Sequence, residues 1–402
     1  MKKLLLVIVV LVALVWFAGA RFLNTTALTA GSARWPNNLG TANDIAHHFP
    51  RLPMNEAATR VAELSKPLGV QFDERPAGIT SLRAPLNAYL ARAVAGVNDD
   101  IDAPPPAVAA WLAQHGNELR AVQQQLVAQD PPQWPVDAEA LLDAPIPRLL
   151  AHMDLFRLLA VDALEQRRAG NDAVAWDDLH ASWKLSQGLL TRPELISQLI
   201  AIAGTRLANG VAAKLSAPTP AWRHELSSFD FGAAAVAALA YEGTHGWRVA
   251  RAYPAGEPAD VAKQTRIERL AATVAGPWTR YRAGQSLDAQ RELATELASL
   301  RACDPHPRTP RDTPNLTEAW RRIGRVRAEV EGVEKLLALK AARAQSGAWP
   351  ESMPSIEGSS CTDGRWRYSR AADGSMSLAF TKPIGVAPSQ LTIVPLAFRY
   401  GP

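Results

Sequence analysis

The sequence predicts a mainly α-helical protein with a small C-terminal antiparallel β-sheet, and three observations carry that prediction. Apolar residues recur at three- and four-residue spacing through most of the 402 positions. Helix-starting and helix-stopping residues punctuate those stretches. Strict alternation arises only near the C-terminus, where Trp366 and Tyr368, then Met376, Leu378 and Phe380, flank Asp373-Gly374. The expected architecture is an N-terminal transmembrane helix, a multi-helix bundle of helical hairpins, and the sheet packed on a long helix.

The chain opens "MKKLLLVIVVLVALVWFAGARF". Two lysines precede an uncharged run from Leu4 to Ala20, seventeen residues. At about 1.5 Å per residue the run is roughly 26 Å long, enough for a thin bilayer core once Phe22 and Leu23 extend it. Ala18-Gly19-Ala20 also fits a signal-peptide cleavage box. Bulky Trp16 and Phe17 stand where a cleaved leader has a polar spacer, and they suit an interfacial belt, so a retained anchor is favoured. On either reading residues 4–23 meet the lipid bilayer. Lys2 and Lys3 hold the N-terminus in the cytoplasm, and the bulk of the chain lies on the periplasmic side of the bacterial inner membrane.

The leader also explains the charge. Lys2, Lys3 and Arg21 have no acidic neighbour within residues 1–23, and without these three the formal net charge of +4 falls to +1. No basic arm or stripe is left, which excludes nucleic acid as an expected partner.

Residues 24–54 are polar, with Gly, Pro and Asn, and read as a tether. Residues 55–302 read as a helical domain. Asn55 caps a short helix ending before Pro67, a second runs from Thr80 through Val97, and a third follows the prolines at 104–106 and stops at Pro131-Pro132. Residues 147–168 and 173–190 form a helical hairpin broken by Gly170 and Asn171. This unit resembles one hairpin of a tetratricopeptide-type array, with no second copy at a fixed period. Thr191 and Glu194 predict a capping box, with Pro193 in the first turn, for a core helix bearing Leu195, Leu199, Ile202, Leu207, Val211 and Leu215. Further helices are expected at 233–251, 259–275 and 285–301.

Residues 314–402 read as an α+β cap. A long helix runs from about Thr317 to Gln345, stopped by Gly347 and Pro350. Asp373-Gly374 suits a type I′ hairpin, and "LTIVPLAFRY" supplies a third strand. Cys303 and Cys361 are the two cysteines. Both fall in loop-type sequence of an exported chain, so a disulfide between them is favoured over a buried or a reactive free thiol.

The stretch "LLALKAARAQSGAWPESM", followed by Tyr368 and the Asp-Gly turn, resembles the globular part of type II secretion pseudopilins. It is also similar to the end of large exported helical proteins of Gram-negative bacteria, whose helices include one similar to "RPELISQLIAIA". The likeness covers residues 145–215 and 333–380 and implies an exported, anchored helical protein without implying an activity. It departs from pseudopilins at the leader. Residues 1–20 hold no glutamate, and some 300 residues separate them from the head-like segment.

Candidate chemistry is sparse. Asp177 and His180 in "WDDLHASW", and Glu242 and His245 in "YEGTHGW", are two carboxylate-x-x-histidine steps, each on one helix face. Two such steps with two further carboxylates would make a di-iron site. No third and fourth carboxylates stand out, and early helical acids also serve the helix dipole. These four residues are therefore candidates for a metal-dependent or hydrolytic envelope enzyme, while no metal or cofactor is assigned. His47-His48 reads as loop and His152 as the edge of the core. Trp176 and Trp183, two turns apart, suit core packing or, alternatively, a groove for an extended peptide or glycan. H-E-x-x-H, G-x-S-x-G, P-loop and G-x-G-x-x-G patterns do not occur. The expectation is a membrane-anchored periplasmic scaffold that binds a protein or peptide of the envelope. The alternatives are the enzyme just named and a secretion-system accessory.

Overall fold

The computed structural model of the protein describes residues 2–49, 51–72, 79–216, 218–253, 265–299, 303, 314–384 and 395–402. Among the described residues are eleven α-helices. They are α1 (Lys2–Ser32), α2 (Glu56–Ser65), α3 (Arg83–Ala95), α4 (Pro106–Ala128), α5 (Leu149–Arg168), α6 (Asp172–Leu190), α7 (Leu195–Ala212), α8 (Arg223–Ser228), α9 (Phe231–Ala252), α10 (Arg266–Ser299) and α11 (Pro314–Ser346). Strands β1 (Trp366–Arg370), β2 (Met376–Phe380) and β3 (Ala397–Tyr400) form an antiparallel sheet in the order β1-β2-β3.

The core is centred on α5, α6 and α7, which pack on one another. On α5 the buried residues run right round the helix, Leu155, Phe156, Leu158, Leu159 and Val161 among them, because neighbours cover it on every side. The turn from α5 to α6 follows the expected chemistry. Gly170 takes φ +81°, Asn171 N–H donates to Gln166 O at 2.8 Å, and Gly170 N–H donates to Arg167 O at 3.1 Å. Those two bonds define a Schellman motif, which satisfies the last carbonyls of α5. Asn55 caps α2 as expected, its Oδ1 accepting from Ala58 N–H at 2.8 Å.

The expected capping box at Thr191 and Glu194 does not form. Thr191 closes α6, and Glu194 is the extended residue before α7 with no side-chain cap. Its carboxylate instead takes two bonds from buried Arg192, at 3.0 and 2.8 Å. Arg192 also donates to the carbonyls of Pro135 at 2.8 Å and Pro145 at 2.7 Å, so it clamps the 129–148 connection onto the core. A buried guanidinium without a carboxylate is costly, and its demand outweighs the local cap.

The expected tether at 24–54 is corrected in the same way. Helix α1 continues to Ser32, its Thr25, Thr26 and Thr29 hydroxyls donating to carbonyls four residues back. Ala27 and Ala30 are buried, Trp247 Nε1 donates to Ala27 O at 3.0 Å, and Gly284 of α10 lies directly against Ala27. Beyond the helix, Trp35, Leu39, Ala42 and Ile45 are buried. Small residues that read as linker thus form a close helix contact. Residues 285–299 and the later part of 259–275 belong to a single helix, α10, which runs through Pro277; residues 259–264, 300 and 301 lie outside the described residues.

The sheet docks through one face. Trp366, Met376, Leu378 and Phe398 are buried, and a Cβ on Gly332 of α11 would lie 2.3 Å from the Trp366 ring. The hairpin turn is not type I′. Gly374 alone has positive φ (+83°), Gly374 N–H donates to Ala371 O, and Ala371 N–H donates to Ser375 O. That is a three-residue loop ending in a left-handed glycine. Of the expected third strand, residues 397–400 pair with β2, and 391–394 lie outside the described residues.

The 314–402 segment is built into the helical body. Lys340 Nζ donates to Asp99 Oδ1 at 2.6 Å and to the carbonyls of Ala213 and Leu215, while Tyr400 OH donates to the same Asp99 oxygen at 2.8 Å. A single apolar cluster runs from Ala30 to Phe398. The N-terminal helices join it as well, with Arg83 of α3 paired to buried Asp154 of α5 at 2.5 Å.

Candidate functional site

The four carboxylate-x-x-histidine residues are not brought together. Asp177 is exposed on α6. The half-buried ring of His180 stacks on Trp222, with centroids 5.0 Å apart and planes 5° apart. Burial and then Lys184 hold its pKa below the ordinary histidine value. His245 stands beside Tyr241, whose hydroxyl is 3.5 Å from Nδ1, and burial with nearby Arg248 lowers its pKa too. Glu242 has a structural role: its Oε1 accepts from Leu195 N–H at 3.1 Å, capping α7 in place of the absent box. Burial raises the Glu242 pKa against that bond. Among the described residues, no three of these four have ligand atoms within 4.8 Å of one another.

Trp176 and Trp183 are buried and line neither of the two clefts described below. The first donates to Ser216 O and the second to Glu225 Oε2, each at 3.4 Å. His48 bonds Leu39 O at 2.9 Å. His152 is deep in the core, not at its edge, with Trp134 and Phe72 edge-on at 4.3 and 4.9 Å.

Cys303 and Cys361 form a disulfide with a Cα–Cα distance of 5.3 Å. Cys303 N–H donates to Asp363 Oδ1 at 2.8 Å, and Lys382 pairs with the other Asp363 oxygen at 2.9 Å. The backbone at Cys303 lies against Gly324 of α11 so closely that a Cβ there would meet the Cys303 carbonyl. The bond therefore ties the sheet's entry loop to the long helix.

Two clefts among the described residues are lined by charged side chains of both signs. The larger, about 760 Å³, lies between the start of α9, α11 and residues 358–360. Trp320 and Phe229 give it aromatic surface. Its charges are paired internally: Glu331 accepts from Ser360 N–H at 2.9 Å and faces Lys335 at 3.5 Å, and Glu334 holds Arg223. Such a lining suits an uncharged or extended ligand better than an isolated ion.

The second, about 450 Å³, lies between α4 and α5 and is lined by Arg120, Asp162 and Glu165. Behind it is an unexpected group. Asp178 is fully buried, and neither carboxylate oxygen has a donor. Burial, then the Asp162 charge, raise its pKa well above the carboxylate range. Asp178 lies near Asp162, and a buried carboxyl with no donor in reach favours its neutral form. Asp162 in turn accepts from Arg120 at 3.4 Å and Gln166 at 3.2 Å. The sequence held a trace of this pair, because position 178 falls on the buried stripe of α6 with Ala175, Ser182 and Leu185.

No family model matches this chain, and neither a curated protein nor a solved structure matches it. The fold defines a mainly helical, disulfide-bonded body continuous with an N-terminal helix apolar and long enough to cross a membrane. Helix α7 passes the same length and composition test but is 72% buried, which makes it a core helix.

Proposed function

We propose that this protein is a single-pass component of the bacterial inner membrane, its body in the periplasm, acting by binding a protein or peptide of the envelope. One observation carries the reading: α1 is a single helix with an exposed apolar half and a clamped far end. Only 6% of its most apolar window is buried, whereas Ala27 and Ala30 are fixed by Trp247, Gly284 and Arg291. Such a joint fits a retained anchor, since cleavage after Ala20 would cut α1 through its middle. The disulfide fits an oxidising compartment, and the large cleft offers aromatic surface with its charges already paired. Protease added to spheroplasts should digest the body, and both sulfurs should resist alkylation until reduced. A protected body with freely alkylated cysteines would overturn the proposal.

A second reading rests on the Asp162–Asp178 pair beside its cleft, because two neighbouring carboxyl groups are the equipment of acid-catalysed hydrolysis. Asp162→Asn and Asp178→Asn assayed on chromogenic ester and glycoside panels test it; hydrolysis by the parent chain that both variants lose would support it. The accessory reading rests on the sheet-on-helix ending. It is tested by co-purification of the full chain with pseudopilins, since residues 314–402 are packed into the body.

A further inference from the structure

Helix α10 runs beside α1 in the same direction. Arg280 Nη1 bonds Asn24 Oδ1 at 3.2 Å, Gly284 touches Ala27 and Ala30, and Arg291 Nη1 donates to Ala30 O at 2.8 Å, so both residue numbers rise together. The first half of α10 faces Trp16, Phe17, Ala20 and Arg21 across a cleft that Thr273, Gly276 and Pro277 also line. Counting back from the Arg280–Asn24 bond at equal rise, Trp278 is level with Phe22 and Ile267 with Leu11.

That half of the helix carries a stripe no part of the described structure covers. Ile267 is 80% exposed, Leu270 66%, Val274 51% and Trp278 54%. At 100° per residue these four fall within about 80° of one another. Val10, Leu11, Leu14, Val15 and Phe17 of α1 are exposed at the same heights. Isolated exposed apolar residues are ordinary, but clusters of them on two neighbouring helices mark an interaction site.

Building on the anchor reading above, we infer that the first half of α10 is a second membrane-contacting element whose Ile267–Trp278 stripe lies in the periplasmic leaflet beside α1. The stripe is about 16 Å long, half of a roughly 30 Å hydrocarbon core. Arg266, Glu268 and Arg269 fall off the stripe and limit its depth. Arg266 and Arg269, level with Val10 and Ala13 by the same count, must snorkel or thin the leaflet locally, so lipid contact is closest at the Val274–Trp278 end, level with Ala18 to Phe22. Arg21, Arg280 and Arg282, level with positions 21 to 26 of α1, lie at the periplasmic boundary and are complementary to anionic lipid. Trp16 and Trp278 are the aromatic residues expected at that boundary.

The test uses the full chain, whose native cysteines are both in the disulfide, with one added cysteine carrying an environment-sensitive fluorophore. The sites are Leu14→Cys on α1, Val274→Cys on the stripe, and exposed Glu292→Cys as control, each in phosphatidylethanolamine–phosphatidylglycerol vesicles with and without doxyl-labelled lipid. The expected result is a blue shift and loss of most emission to doxyl lipid at 14 and 274, with neither at 292. If 14 is quenched while 274 behaves like 292, the second contact is wrong and the anchor stands. If 14 is also unquenched, the anchor reading fails and the inference falls with it.

Discussion

Arg206 and Glu329 lie 123 residues apart in sequence and meet in a buried two-bond ion pair, Nε to Oε2 at 2.8 Å and Nη2 to Oε1 at 2.9 Å. Arg325, one turn before Glu329, bonds the same carboxylate at 2.8 Å. This cluster joins α7 to α11 and fixes the long helix on the core. Glu329→Gln leaves two guanidinium groups buried without their carboxylate and should cost roughly 3–5 kcal/mol, read as a lower urea midpoint. A change within experimental error would show that the helices are held by apolar packing alone.

Loss of the disulfide is a change of a different kind and similar size. Cys303 and Cys361 are 58 residues apart, and opening a loop of that size should cost about 4 kcal/mol in the chain-entropy model. Cys303→Ser with Cys361→Ser should lower the melting temperature of the full chain, and reductant should lower the parent's equally without affecting the variant's.

Asp178 should be a site where a neutral residue is better than the native one. Burial holds its pKa above the ordinary carboxylate value, so the folded chain binds this proton more tightly than the unfolded chain. Its contribution to stability is present at low pH and is lost as pH rises from the ordinary carboxylate value through the raised one. Asp178→Asn, which cannot ionise, should therefore stabilise the protein at neutral pH, read as a higher urea midpoint. Urea titrations at pH 5 and 8 check this, and the gain should be larger at pH 8.

His152 should act in the opposite sense. Burial lowers its pKa from 6.5 to about 3, so the unfolded chain takes the proton first as pH falls. Stability is full above pH 6.5 and declines between 6.5 and 3. His152→Phe keeps an aromatic ring against Trp134 and Phe72 and removes the proton. Its urea midpoint should drop less between pH 7 and pH 4.5 than the parent's, and parallel losses would assign acid sensitivity elsewhere.

The sequence revealed those features that adjacent residues settle among themselves. Asn55 capping α2, Gly170 ending α5, and the alternation of Trp366, Met376 and Leu378 are all local patterns, and the structure repeats them. The cysteine pairing was legible for a simpler reason, since two cysteines admit one bond. The candidate site was scarcely legible. Asp177, His180, Glu242 and His245 share a spacing but no common point, while Asp178 looked like one more acid in a first turn.

Where local rules failed, a distant partner had prevailed. Thr191 and Glu194 make a good capping box only if Arg192 needs nothing, yet Arg192 is buried among carbonyls some 50 residues away and takes the carboxylate. Glu242 then supplies the bond that the box lacks. Residues 24–32 read as linker because alanine, threonine and glycine carry little apolar signal, but that smallness is what lets α1 lie against α10. By itself the sequence determined which stretches coil, which alternate, and which one is apolar enough to enter a bilayer, because those depend on neighbours within a turn or two. Only the tertiary structure decided which charges are buried, what satisfies them, and which apolar faces stay uncovered, because a buried group takes its partner from whichever helix the packing brings beside it.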